Sequence, residues 1–330
     1  MKRRIAALVL CITTLFSLIG CGAANQESKQ QDPESVTLNI AYQYGLAYAP
    51  LIIVQEQKLI ESSFKEATGK DVTVTWTKMD SGADINTGFA SGSIDVGFMG
   101  VAPAITGVTK GTGYKIFTNL SGQEHGFMTN DKSISSFDDL IGSDHQIALV
   151  NVGSIQHIIL AKALSDSGYD PHELDSNIVA MKHPDGMTAL ETGNIACHLT
   201  SSPYIYQERE ESNLYEINAI NKAWPKENSF IVGVASEKLY DDDQELYLAL
   251  CDAINESINY INDHTEDAAK VTCEYDGNTA EDELKYLQAG TYTAQTKGIF
   301  ELATFMADAN FIDAKPESYA DLTFNNVVGD

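Results

Sequence analysis

Residues 36–69 read VTLNIAYQYGLAYAPLIIVQEQKLIESSFKEATG. The first seven alternate in polarity and stop shortly before Gly45, which is the pattern of a strand. Pro50 stands where a helix should open. Proline is favoured in a first turn because its missing N–H would have no partner there. The residues after it predict one helix that stops at Gly69. Strand, small-residue loop and helix in that order form the repeating unit of a mostly parallel sheet covered on both faces.

The same unit recurs down the chain. Residues 72–76 (VTVTW), 94–99 (IDVGFM) and 114–120 predict strands, with helices over 83–91 and around Pro103. The pattern changes over 121–130, where SGQEHGFMTN holds two glycines and one short extended piece. A second series follows, with strands at 146–150, 177–181, 196–200 and 214–220. Its helices open at Gly153-Ser154, near Asp185 and at Ser202-Pro203. Residues 230–235 (FIVGVA) read as a return into the first sheet. Helices are then expected over 244–264 and 284–310. The fold class is therefore α/β, with two lobes, two chain crossovers near 122–126 and 223–228, and a helical C-terminal part packed on lobe 1. Lobe 1 takes residues 36–122 plus 226–330, and lobe 2 takes 123–225.

The N-terminal residues predict export. Lys2, Arg3 and Arg4 precede an apolar stretch over 5–19, which makes residues 1–20 a signal peptide. The stretch is shorter than the roughly 20 residues a membrane-spanning helix needs. Leu18-Ile19-Gly20-Cys21 resembles a bacterial lipobox, so Cys21 is expected to carry the lipid. Residues 22–35 contain no large apolar side chain and read as a flexible tether. The expected location is the outer face of the cytoplasmic membrane, held there by the lipid anchor alone.

Charge narrows the partners. Removing the signal takes away three basic residues and no acid, leaving 18 Lys+Arg against 47 Asp+Glu, a formal charge of −29. Such a surface disfavours nucleic acid and anionic headgroups and fits a soluble monomer. Beyond the signal and Cys21 only Cys197, Cys251 and Cys273 remain, an odd and widely spaced set that makes no disulfide framework. Free thiols are expected, with a Cys251–Cys273 bridge as the alternative.

No catalytic motif is present. G-x-S-x-G, Walker A and H-E-x-x-H are absent, and the glycines around Gly97 form no dinucleotide fingerprint. No two of the seven histidines sit at i, i+4. The reading is a non-enzyme without cofactor or metal.

Small residues recur where strands pass into helices: Gly45–Tyr48 before Pro50, Asp80–Ala83, Gly100–Ala102, Gly153-Ser154 and Ser201–Tyr204. In open parallel sheets ligands bind beyond the carboxyl ends of the strands. The first N–H groups of a helix have no internal partner and lie at the positive end of its dipole. Several such ends facing one cleft would hold a small anion without Lys or Arg.

The chain resembles the solute-binding lipoproteins of ABC importers, in the nitrate/sulfonate/taurine-binding family. The resemblance is carried by residues 37–61, by 89–111, by 153–164 (GSIQHIILAKAL), by 183–208 and by 305–318 (FMADANFIDAKPES). Its most specific block is ASGSIDVGFMG, residues 90–100. It implies a two-lobed periplasmic-binding-protein-like fold and hinge closure on a small anionic or polar solute. It also implies an ABC permease and ATPase as partners. By the same resemblance Tyr48, Ser81, Gly100 and Val101 would line one wall. Gly153, Ser154, Gln156, His157, Ser202 and Tyr204 would line the other, with His183 and Met187 as weaker candidates. The tryptophan that some sulfonate-binding relatives carry near Ser202 is missing here. Alternatives are a binding protein for a heteroaromatic vitamin precursor (a thiamine pyrimidine or riboflavin) stacked by Tyr44, Tyr48 and Tyr204, or a ligand-sensing lipoprotein. An enzyme resembling the fungal pyrimidine synthases would need a Cys-rich motif that this chain lacks.

Overall fold

A computed structural model describes residues 36–220 and 222–330. The expected signal peptide, Cys21 and the tether lie outside the described residues. Two five-stranded mixed sheets carry the helices. The first holds β1 (Val36–Tyr42), β2 (Val72–Lys78), β3 (Val96–Gly100), β4 (Tyr114–Ser121) and β10 (Ile231–Ser236), in the order β2-β1-β3-β10-β4. The second holds β5 (His125–Thr129), β6 (Ile147–Leu149), β7 (Ile178–Ala180), β8 (Cys197–Ser201) and β9 (Tyr215–Glu216), in the order β7-β6-β8-β5-β9.

β1 pairs in parallel with β2 and β3, and β6 with β7 and β8. The expected return of residues 230–235 into the first sheet is present, but β10 runs antiparallel to both β3 and β4. The chain leaves the first sheet at Ser121 and re-enters beside it, with Ile231 opposite Ser121. Entering at the end from which β4 left, β10 can only run the other way.

The two crossings touch. A Cβ on Gly122 would lie 2.2 Å from the Lys226 carbonyl oxygen and 2.8 Å from that of Asn228, so only glycine lets the chains pass. Gly122 also exchanges two backbone hydrogen bonds with Thr291, of 2.8 and 2.9 Å.

The helices in the first half are α1 (Ala49–Gln57), α2 (Leu59–Thr68), α3 (Gly82–Ala90), α4 (Val101–Thr109), α5 (Ile155–Asp166) and α6 (His183–Glu191). In the second half are α7 (Tyr204–Glu210), α8 (Glu237–Asp242), α9 (Gln244–Asp263), α10 (Thr265–Asp276), α11 (Ala280–Ala289) and α12 (Ile299–Asp308). Pro50 and Gly69 do what the sequence predicts, starting α1 and capping α2 with left-handed backbone.

Three expectations change. The helix expected over 50–69 is two helices, because Lys58 takes φ 51° and breaks it. α1 is buried almost all round, whereas α2 buries only Leu59, Ile60 and Phe64. The break re-aims that narrower stripe. The helix expected over 284–310 is interrupted between α11 and α12. There Thr291, Thr293 and Ala294 offer their carbonyls to Gly122 and Asn119 of the first sheet. A continuous helix would have kept those carbonyls for itself. The strand expected over 214–220 shrinks to the two-residue β9, at the sheet edge.

Apolar side chains of both sheets and of α9 and α12 form one large buried cluster. Cys197, Cys251 and Cys273 are free thiols, so the alternative Cys251–Cys273 bridge is not formed.

Candidate functional site

The carboxyl ends of β3 and β8 and the first turns of α1, α4 and α5 meet around an inner cavity of about 50 Å³, room for a few waters. Tyr48 and Gly100 line it from the first sheet's side, and Ser154, Gln156, His183 and Ser202 from the second's.

Local sequence explains each wall. Tyr48 is the residue before α1, and its hydroxyl donates to Gln43 Oε1 at 3.1 Å. Burial raises its pKa, so it stays a neutral phenol. Gly100 ends β3 and precedes α4. A Cβ there would lie 2.9 Å from Ile155 Cγ2, so the two walls come together because position 100 has no side chain. Ser154 caps α5, its Oγ accepting from the His157 N–H at 3.4 Å. That leaves the N–H groups of Ile155 and Gln156 as open donors of the first turn. Ser202 is buried, and its Oγ has no partner among the described residues. Behind Phe230, which lines the cavity, His125 is buried, and neither ring nitrogen has a partner among the described residues.

Six of the expected residues sit elsewhere. Val101 is fully buried and gives its N–H to the Phe230 carbonyl at 2.9 Å, so α4 offers no free donor at that position. Ser81 caps α3, bonded to Asp84, and only its neighbour Gly82 reaches the cavity. Gly153 and His157 face a separate groove of about 500 Å³. His157 Nδ1 accepts from the Gly153 N–H at 3.0 Å, and the other nitrogen therefore donates to Asp175 Oδ1 at 2.8 Å. Both nitrogens are used in holding the α5 loop. Tyr204 lines an adjoining cavity of about 170 Å³ together with Tyr44. Met187 lines neither cavity.

Ser201, the first residue of the Ser201–Tyr204 junction, lines the inner cavity, as do Gln43, Asn151 and Phe230, which sequence reading did not select. Gln43 could have been found from its place two residues before Gly45. Phe230 carried no such signal, because a phenylalanine opening a strand reads as core.

Among the described residues no Lys or Arg lines the inner cavity. Two ammonium groups, of Lys78 and Lys182, stand 4.7 and 5.8 Å from the ring centre of Tyr44, a residue that lines the cavity. Lys182 also pairs with Asp80 Oδ1 at 2.7 Å, joining the loop after β7 to the loop after β2. Burial holds the rings of His125, His183 and His198 neutral, with their pKa values down to about 3. The cavity is thus an uncharged pocket edged by hydroxyl, amide and helix-end N–H donors.

Comparison with known proteins agrees in family and in fold. Residues 31–275 match the NMT1-like family. The chain is similar to the taurine-binding periplasmic protein of Escherichia coli (strain K12), with 28% identity over 164 residues, 49% of this chain and 48% of that one. The match therefore spans about half the length of that relative. Among solved structures, the alkanesulfonate-binding protein SsuA from Xanthomonas axonopodis pv. citri, bound to MOPS, superposes with a TM-score of 0.72 at 14% identity. It covers 91% of this chain and 100% of that one. The periplasmic nitrate-binding protein NrtA from Synechocystis PCC 6803 gives 0.69 at 15% identity, covering 90% and 86%. At such identities the superpositions speak for the fold alone. The chain belongs to the NMT1-like family and has the two-lobed fold that the resemblance to nitrate/sulfonate/taurine-binding proteins implied.

Proposed function

We propose that this protein is the extracytoplasmic solute-binding component of an ABC importer, and that it captures a small organic anion of the sulfonate type. The observation that carries this reading is the inner cavity. It gathers the open first turn of α5, the Ser202 hydroxyl and the Gln156 amide, with no Lys or Arg among the described residues that line it. Fixed dipoles of this kind suit an oxyanion whose charge must be desolvated without forming an ion pair. The adjoining cavity between Tyr44 and Tyr204 gives the ligand's carbon body a place, which favours an organic sulfonate over nitrate. The similarity to a taurine-binding protein points the same way.

In this reading the residues that contact ligand are Tyr48, Gly100, Ser154, Gln156, Ser202 and Tyr204. The lobes are 36–122 plus 226–330 and 123–225. They open and close about the paired crossings at Gly122 and Lys226, because ligand binds the closed form better. The lipid on Cys21 keeps the monomer at the membrane, where the closed form meets a permease and its ATPase.

The test is a thermal-shift screen with taurine, alkanesulfonates, nitrate, bicarbonate, thiamine pyrimidines and riboflavin. A ligand far above its Kd should raise Tm by several degrees. Shifts with sulfonates support the proposal. A shift with a pyrimidine or flavin alone would replace it with the heteroaromatic reading, in which Tyr44 and Tyr204 stack the ring.

A further inference from the structure

A chain of buried polar groups runs from the inner cavity into the second sheet. His183 Nε2 lies 3.2 Å from Gln156 Nε2 and 3.3 Å from Ser201 Oγ, both on the cavity wall. His183 Nδ1 lies 3.2 Å from His198 Nε2. His198 Nδ1 lies 2.6 Å from Glu208 Oε1. His198 and Glu208 are wholly buried, and Glu208 Oε2 has no partner among the described residues. Position 186 is glycine, and a Cβ there would lie 2.7 Å from His198 Nε2, in the path of the chain.

Each imidazole in such a row carries one proton and must donate at one nitrogen and accept at the other. Only two arrangements satisfy every link. With a proton on Glu208, Oε1–H donates to His198 Nδ1, His198 Nε2–H donates to His183 Nδ1, and His183 Nε2–H points its proton at the cavity. With Glu208 ionised, every link reverses, and His183 Nε2 presents a lone pair. The second state holds one proton fewer. That proton leaves from His183 Nε2 while each remaining proton moves one site away from Glu208, toward the cavity. At the cavity end the groups adapt to either state, because a hydroxyl rotates and an amide can turn over.

We infer that His183 is a ligand-contacting donor of the cleft and that Glu208, acting through His198, is the positioning residue that makes it one. This rests on the cavity being the ligand site, as proposed above. An anion needs a donor, so its binding would keep the proton on the chain, and raised pH would weaken binding. Burial favours the same state by lifting the Glu208 pKa to about 8, since ionisation would place an uncompensated charge inside the lobe. Among the described residues nothing charged nearby opposes it. On α6 the neighbours are neutral His183 and exposed Asp185, on β5 neutral His125, and on β8 neutral His198. Next along α7, Arg209 is held by Glu124 and Glu216.

The test is nitrogen NMR of histidine side chains in the unliganded protein, with taurine and ethanesulfonate titrations at matched pH. His183 Nε2 should carry a proton near neutral pH and lose it as Glu208 ionises. Sulfonate Kd should then rise up to about tenfold per pH unit above that point. Glu208→Gln should bind with one Kd across the same range. A bare His183 Nε2 at neutral pH, or a wild-type Kd independent of pH, would overturn the inference and leave the site reading standing. Failure of every sulfonate to bind would remove the site reading, and with it the ligand contact. The NMR titration would still decide the proton row by itself, including in the event that the variant does not fold.

Discussion

His172 Nε2 lies 2.7 Å from the carbonyl oxygen of Ala309, at the end of α12, while its Nδ1 lies 2.8 Å from Asp175 Oδ2. Both neighbours can only accept, so both nitrogens must donate, and the ring is an imidazolium. It ties the loop between α5 and β7 to the C-terminal helices.

The bond to the Ala309 carbonyl, with help from Asp175, raises the pKa of His172. A base whose folded pKa exceeds its unfolded value stabilises fully at low pH, and that contribution is lost as pH rises through the folded pKa. The side chain is 38% exposed, so the tie contributes only about 1 kcal/mol. We predict that the radius of gyration of the unliganded protein grows on raising pH above neutrality. His172→Gln should abolish that dependence. A radius unchanged across the range would show that the His172 tie does not hold the α5–β7 loop and the C-terminal helices together.

Ser202→Ala should weaken sulfonate binding by about 1 kcal/mol, roughly fivefold, and leave Tm unchanged, since the hydroxyl bonds no group among the described residues. Ser154→Ala is a different case. Ser154 caps α5, and its loss should cost about 1 kcal/mol of stability besides affinity. Calorimetric titration beside thermal melts separates the two. Equal melting losses in both variants would contradict the assignment.

Gly100→Ala puts a methyl group 2.9 Å from Ile155 Cγ2. Ile155 begins α5 and is buried, so it yields little. Overpacking of this size costs roughly 1–3 kcal/mol, and here parting the two walls relieves it. Sulfonate Kd should rise about tenfold, with a small change in Tm. A large fall in Tm with unchanged affinity would mean that the strain spreads into the first sheet.

Stability should be flat over a window and fall on either side of it. Buried His125, His183 and His198 have pKa values near 3, so the unfolded chain binds more protons below about pH 6.5 and stability is lost as pH drops. Glu208 and Asp276 are shifted the other way by burial, to about 8 and about 7, so they lose stability as pH rises from about 4.5 toward those values. The two sets oppose each other between about pH 4.5 and 6.5. Above 6.5 the carboxyl groups lose stability together with the His172 tie, and Tm should fall by pH about 8. A Tm still climbing over that interval would show that these carboxyl groups are ionised in the folded protein.

The order of strands and helices was legible in residues 36–69 and their repeats, because period, Pro50 and Gly69 act locally. So was the return of residues 230–235, though not its direction, which depends on where β4 ends. The sequence also marked Ser154, Gln156 and Ser202, small or polar residues at helix starts. It could not separate Ser202, left unpartnered in the cavity, from Ser81, spent on capping α3, since the two motifs look alike in one dimension. His157 likewise looked available and is held at both nitrogens by Gly153 and Asp175.

Local propensity, export signature and charge belong to short stretches of chain, and the amino-acid order determined them alone. Which donors stay free depends on partners far away in sequence. His183, His198 and Glu208 fall in line only because α6, β8 and α7 pack together, and that alignment was decided by the tertiary structure.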